Sequence, residues 1–163
     1  MNWNATTYFE DLTSRNKLAV QNNFVFCRVS SLEGFEEALN RMQSATAFVC
    51  VSEVDDGTIT IDNTPHASRV KTVFLAMRHQ MDNMTARRQC FETMHEVFRQ
   101  FASKLLADEN GIFQSNGYLD HRINFTEIPQ YFFSGCACAY FQIKTNNYMS
   151  LAYNDSEWNE SNA

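Results

Sequence analysis

Apolar residues recur at two periods along this chain, and the period changes place by place. From Thr6 to Ala19, Tyr8, Phe9, Leu12 and Ala19 fall near helical spacing among polar neighbours, which predicts an N-terminal helix. FVFCRV, 24–29, is aromatic and β-branched and reads as a strand. Ser30 and Glu33 then stand at capping-box spacing, and Leu32, Phe35, Leu39 and Met42 share one helical face, so a short helix lying on a sheet is expected. TAFVCVSEV, 46–54, is an apolar run of strand length. Asp55-Asp56-Gly57 predicts a hairpin turn, TITID the returning strand, and RVKTVFLAMRH, 69–79, a third strand, together an antiparallel meander.

The strongest periodicity runs from about Asp82 or Thr85 to Ala107. Phe91, Met94, Phe98, Phe101 and Leu105 stack at three- and four-residue steps, opposite Glu92, His95, Glu96 and Arg99. Asn110-Gly111 is the expected stop, followed by an irregular stretch to about Asp120. RINFTEI and FFSGCACAYFQIKT read as two more strands around Pro129. The order predicts an α+β fold, with a mixed or antiparallel sheet of four to six strands, two amphipathic helices on one face, and the N-terminal helix in addition. If those helices do not cover Phe24, Phe26, Val73, Leu75, Phe141 and Ile143, an apolar sheet face is left, and a second subunit is its natural cover.

The chain has 163 residues, 44% hydrophobic and 20% charged, with fourteen Phe. That is enough to bury a core as a single domain 1–163, ending in a flexible acidic tail at 154–163. A formal charge of −6 argues against phosphate-backbone recognition. The start has the form of neither a secretory signal nor a membrane span, so a protein made and kept in the cytosol, or in a particle assembled there, is expected. Five cysteines, mostly within apolar runs, then read as reduced packing residues. Asn-x-Ser/Thr triplets such as Asn83-Met84-Thr85 read as chance products of an Asn-rich chain.

Candidate chemistry changes this picture little. Cys136 and Cys138 share one strand face, but a zinc site wants four ligands, and only the isolated His79, His95 and His121 could complete it. A Cys-x-Cys spacing on a strand is not the Cys-x-x-Cys redox motif. His121, beside Asp120 and Arg122, could serve acid-base chemistry, yet no nucleophile stands near it in sequence. No phosphate-loop, dinucleotide, nucleophile-elbow or zincin motif occurs, so no cofactor, no metal and no catalytic residue is expected. Arg87 and Arg88 oppose the dipole of the long helix, and Asp55 and Asp56 cap the expected hairpin. These four are the interface candidates, with the arginines either solvated or paired to a neighbouring copy's acidic turn or tail.

The element order carried by FVFCRVSSLEGFEEALNRM, FVCVSEVDDGTITI, RVKTVFLAMRH, TARRQCFETMHEVFRQFASKLL and YFFSGCACAYFQI resembles the tail terminator, or neck, proteins of tailed bacteriophages. The resemblance covers most of the chain and rests on length and order, with no diagnostic motif. It implies a small structural subunit without catalytic residues, forming a homo-oligomeric ring at the head-proximal end of a tail tube. Its partners would be tail tube and head-tail connector proteins, and its place the virion, assembled in the host cytoplasm. The hairpin at 54–58 and the stretch 109–120 would meet neighbours. The alternative is a small cytosolic ligand-binding domain or enzyme with a site near His121 and Cys136.

Overall fold

The computed structural model describes residues 3–159. Two short helices, α1 (Ala5–Arg15) and α2 (Lys17–Gln21), open the fold, each capped by an asparagine side chain, Asn4 and Asn16, that accepts from a first-turn amide. Next come β1 (Phe24–Val29), α3 (Leu32–Arg41), β2 (Ala47–Ser52), β3 (Asp56–Thr60) and β4 (His66–Arg78). The 30-residue helix α4 (Met84–Phe113) precedes β5 (Gly117–Leu119), β6 (Phe125–Phe132) and β7 (Cys136–Tyr148).

The seven strands form one mixed sheet in the order β1-β2-β4-β7-β5, with β3 also on β4 and β6 also on β7. Only β1 and β2 are parallel. Their crossover is α3, as a parallel pair requires. The spine is the antiparallel β4–β7 ladder, thirteen residues on each strand, from His66 opposite Tyr148 to Arg78 opposite Cys136.

The α+β class and the mixed sheet agree with the expectation, but the sheet has seven strands rather than four to six, because β3 and β5 add short strands along β4 and β7, and four further details differ. First, the helices lie on opposite faces. On one face α1 and α4 cover Val49, Val51, Val73, Leu75, Ala137, Ala139, Phe141 and Ile143, whereas α3 covers Phe48, Cys50, Phe74, Ala76, Cys136 and Cys138 on the other. The period of two sends alternate residues of β4 and β7 to different cores, and both sets are apolar near the Arg78 end. Phe24 is buried and Phe26 partly buried in the α1/α4 core, so the chain's own helices account for the apolar surplus on this face.

Second, β2 and β3 do not form a hairpin. β2 pairs with Val73–Met77 and β3 with His66–Val70 along the same edge of β4. They are one strand interrupted at 53–55, where Asp55 forms an ion pair with Lys71 of β4. The tight turn expected at Asp55-Asp56-Gly57 is therefore an interruption along an edge. The real hairpin joins β3 to β4 through 61–65, where Asn63 takes a positive φ of 61°.

Third, α4 runs through Asn110-Gly111 and ends at the left-handed Gln114 (φ 47°). Gly costs a helix about 1 kcal/mol. Burying Phe113, 6% exposed, returns about 1.5–3 kcal/mol, so packing outweighs propensity. What was expected to be an irregular stretch at 109–120 is thus the last turn of α4 followed by β5. Fourth, Ser31 rather than Ser30 caps α3, its hydroxyl accepting from the Gly34 amide at 3.4 Å.

The strand around Pro129 is continuous. Edge strand β6 carries Pro129 through a register shift between Ile128 and Phe132, where the missing amide costs no ladder bond. Gly135, at φ 66°, turns the chain from β6 into β7. The tail expected at 154–163 begins as a short turn, Asp155–Glu157, exposed throughout; its residues 160–163 lie outside the described residues.

Candidate subunit interface

The two ends of the β4–β7 ladder have different surfaces. At the Arg78 end, the first turn of α4 packs against β6. Asn83 caps the helix, its side chain accepting from the Ala86 amide at 2.8 Å. Arg87 and Arg88 then diverge. Arg88 faces solvent, with Nη2 donating to Glu127 Oε1 at 2.6 Å and Nε close to Glu92 at 3.1 Å. Glu127 also accepts from His95 Nε2 at 3.1 Å. Hydrogen bonding from Arg88 holds the Glu127 carboxyl below the ordinary carboxylate range, and His95 adds to this.

Arg87 turns inward and is only 7% exposed. Its guanidinium lies 4.3 Å from the Tyr131 ring centroid and 5.1 Å from that of Phe91. Nη2 donates to the carbonyls of Ile128 and Pro129 at 3.4 and 3.3 Å. Nη1 is buried without a partner. Among the described residues, Arg87 forms no ion pair with a carboxylate. Beside it Met84, Arg88, Phe91, Glu127, Ile128 and Pro129 line a cleft of about 430 Å³.

Large apolar side chains are exposed at both ends, Met81, Met84, Tyr131 and Phe133 at the Arg78 end and a second set at the opposite end. Ile59 and Ile61 on and after β3, Tyr118 of β5, and Tyr148 and Met149 at the close of β7 stand in solvent, and Tyr153 stacks with Trp158 in the tail. His66, Tyr118 and Tyr148 form an aromatic row at centroid distances of 6.2 and 6.0 Å. On the α3 side of this end the sheet carries hydroxyl and amide groups, with Ser68 bonded to Asn146 and Thr72 to Gln142, so no helix is needed to cover it.

Of the four interface candidates, Asp55 is held by Lys71, Asp56 is exposed at the start of β3, Arg88 is exposed and paired, and Arg87 is buried. The structure does not group them. Nor does it bring His121 to Cys136. His121 Nε2 meets Glu109 at 2.7 Å near the β5 end, where the Asp120 backbone amide donates to the Lys144 carbonyl. Cys136 lies eight ladder positions away (144 − 136), about 26 Å along the strand. Glu109 is held low mainly by the Leu119 amide, with His121 assisting.

The cysteines divide into two groups. Cys136 and Cys138 are buried under α3, and burial pushes both thiols up, which disfavours the thiolate a nucleophile or metal ligand needs. Ala137 and Ala139 occupy the alternate face, beneath α4. Cys27 and Cys50 are register partners on β1 and β2 with Cα atoms 4.7 Å apart, which brings their sulfurs together as a candidate disulfide pair. This pair stands apart from the three free thiols Cys90, Cys136 and Cys138, where sequence alone reads all five alike as packing residues. Its signal lay in the parallel pairing of β1 with β2, which local sequence does not display.

Among the described residues no three His, Cys, Asp or Glu side chains converge as a metal site requires. No helix among them is long and apolar enough to cross a membrane. The fold thus defines an α+β domain with a polarised sheet. No protein-family model matches the chain, and no curated protein matches it.

Proposed function

We propose that this protein is a non-catalytic structural subunit that assembles with copies of itself, and that the assembly is a ring of the tail terminator kind, at the head-proximal end of a phage tail tube. The observation that carries the self-assembly is that both ends of the sheet expose large apolar side chains, Ile59, Ile61, Tyr118, Tyr148 and Met149 at one and Met81, Met84, Tyr131 and Phe133 at the other. Large apolar side chains gathered at the ends of a sheet, rather than scattered singly, are characteristic of contact surfaces. The ring and its place in a virion rest on the resemblance in length and element order. The partners on this reading are the tail tube and the head-tail connector.

Light scattering behind size exclusion, followed by negative-stain imaging, tests the reading. The expected result is a discrete oligomer with a central opening, alone or on addition of tail tubes. A chain that stays monomeric across the accessible concentrations and does not bind tubes overturns it.

A further inference from the structure

Arg87 is a buried cation with an unpartnered Nη1 and no carboxylate partner among the described residues, beside a cleft at the positive end of a 30-residue helix. Burying a guanidinium without a counter-charge is costly, so such a site is completed by an anion. The surroundings select the kind of anion. Glu127 and Glu92 already stand beside the cleft, paired with Arg88, and the chain carries −6 overall. A doubly charged phosphate or a nucleic-acid backbone meets repulsion there, whereas a single carboxylate bonds a guanidinium with little penalty. Met84, Phe91, Ile128 and Pro129 supply apolar walls, which favour a carboxylate carried between aromatic groups.

The chain carries such a group. In Tyr153-Asn-Asp-Ser-Glu-Trp158 two carboxylates lie between two exposed, stacked aromatic rings. The same subunit cannot deliver it. The tail leaves the ladder at Tyr148, while Arg87 bonds the carbonyl of Ile128, which pairs with Cys138, ten positions up β7 (148 − 138). That is about 34 Å along the strand. Asp155 is seven residues beyond Tyr148 (155 − 148) and reaches about 25 Å even fully extended. Glu157, nine residues beyond (157 − 148), reaches about 32 Å only fully extended; with the turn at Asp155–Glu157 kept, the Glu157 amide bonded to the Asn154 carbonyl, both carboxylates fall short.

We infer that the Arg87 cleft receives a carboxylate of the 153–158 tail segment from a second copy of this chain. Site and ligand sit at opposite ends of the sheet, so the proposed ring takes the contact head to tail, one copy's tail end against the next copy's cleft end. Passed head to tail, the contact closes into a ring or runs on as a filament; exchanged reciprocally, it closes as a two-fold dimer. The inference deepens the proposed self-assembly and rests on it for its biological setting. Met84 and Tyr131, bonded to each other beside Arg87, are exposed side chains free to move when the tail enters.

The test titrates a fluorescent peptide of residues 151–159 with the full chain carrying Asp155→Asn and Glu157→Gln, whose own tail then cannot compete. Saturable binding is expected, weakened tenfold or more when the peptide carries the same two neutral substitutions. Arg87→Gln in the receptor should produce a similar loss, with circular dichroism checking its fold; if that variant does not fold, the neutral peptide decides alone. Equal binding of charged and neutral peptides, no binding at millimolar concentration, or full displacement by inorganic phosphate at the same ionic strength overturns the inference. An intact oligomer together with no peptide binding removes this contact and leaves the proposed function standing. Charge-dependent peptide binding by a chain that stays monomeric keeps the cleft and removes the ring.

Discussion

Phe9 of α1 offers the sharpest test of how the N-terminal helix is held. It is fully buried, with its ring 5.8 Å from Phe141 of β7 at 67° and 5.9 Å from Phe101 of α4, so it joins α1, the sheet and α4. Phe9→Ala removes a buried ring and leaves a cavity among side chains that are themselves locked, which costs about 3–5 kcal/mol. For a chain of 163 residues this corresponds to a fall in Tm of roughly 6–20 °C. Two such losses, about 6–10 kcal/mol, take most or all of the stability of a domain in the usual range of about 5–15 kcal/mol. The pairwise contribution is therefore read with Leu, from a cycle of Phe9→Leu, Phe141→Leu and the double variant. An edge-to-face pair predicts a coupling of about 0.5–1.5 kcal/mol. Urea unfolding by circular dichroism gives each value from Cm at constant m. A Phe9→Ala cost under about 1 kcal/mol, or a cycle that closes to zero, would mean that α1 does not dock on its own sheet.

Three further outcomes follow from particular residues. Gly117→Ala should destabilise by at least about 2 kcal/mol, because a Cβ would stand 2.1 Å from the Asn146 carbonyl oxygen, whereas Gly111→Ala meets nothing within 4 Å inside α4 and should stabilise by about 0.5–1 kcal/mol; opposite signs in thermal melts are the check. Glu53, Glu109, Glu127 and Asp108 are held below their ordinary values, and Glu96 reaches about 2 beside Arg99, so the folded chain binds fewer protons than the unfolded one; their stabilisation is complete above about pH 4.5 and is lost as pH falls toward 2, and a Tm that stays flat between pH 6 and 3 contradicts it. Thiol titration of oxidised protein should find Cys90, Cys136 and Cys138 unreactive while folded and three thiols on unfolding, rising to five after reduction; five without reductant would deny the Cys27–Cys50 bond.

Local pattern carried the elements well wherever burial was one-sided. The α3 face of Phe35 and Leu39 and the α4 face from Phe91 to Leu105 were legible, because a helix covering one sheet face must repeat its apolar residues every three or four positions. The choice of face was not legible. Continuous apolar runs such as 47–51 and 136–139 are what a strand buried on both sides looks like, and read as one-sided they placed α3 and α4 together. The turn residues Asp55-Gly57 and Asn110-Gly111 were misread for a shared reason: tertiary pairing with β4 and burial of Phe113 override local turn preference. For the interface, sequence singled out Arg87 and Arg88 by their clash with the helix dipole, but it could not separate them. Which of two adjacent arginines turns inward depends on Tyr131 and the carbonyls of β6, more than forty residues away.

The β4–β7 ladder divides the domain along its length. Toward Arg78, both faces of the sheet are packed under helices, so each side chain there is constrained from two sides and few replacements are tolerated. Toward His66 and Tyr148 the backbone pairing continues while the side chains on the α3 side are free of any core. Apart from Gly117 and the buried Ser68–Asn146 pair, variation can accumulate at that end without unfolding the chain. A lineage can thus retune what this surface meets while the scaffold that presents it stays unchanged.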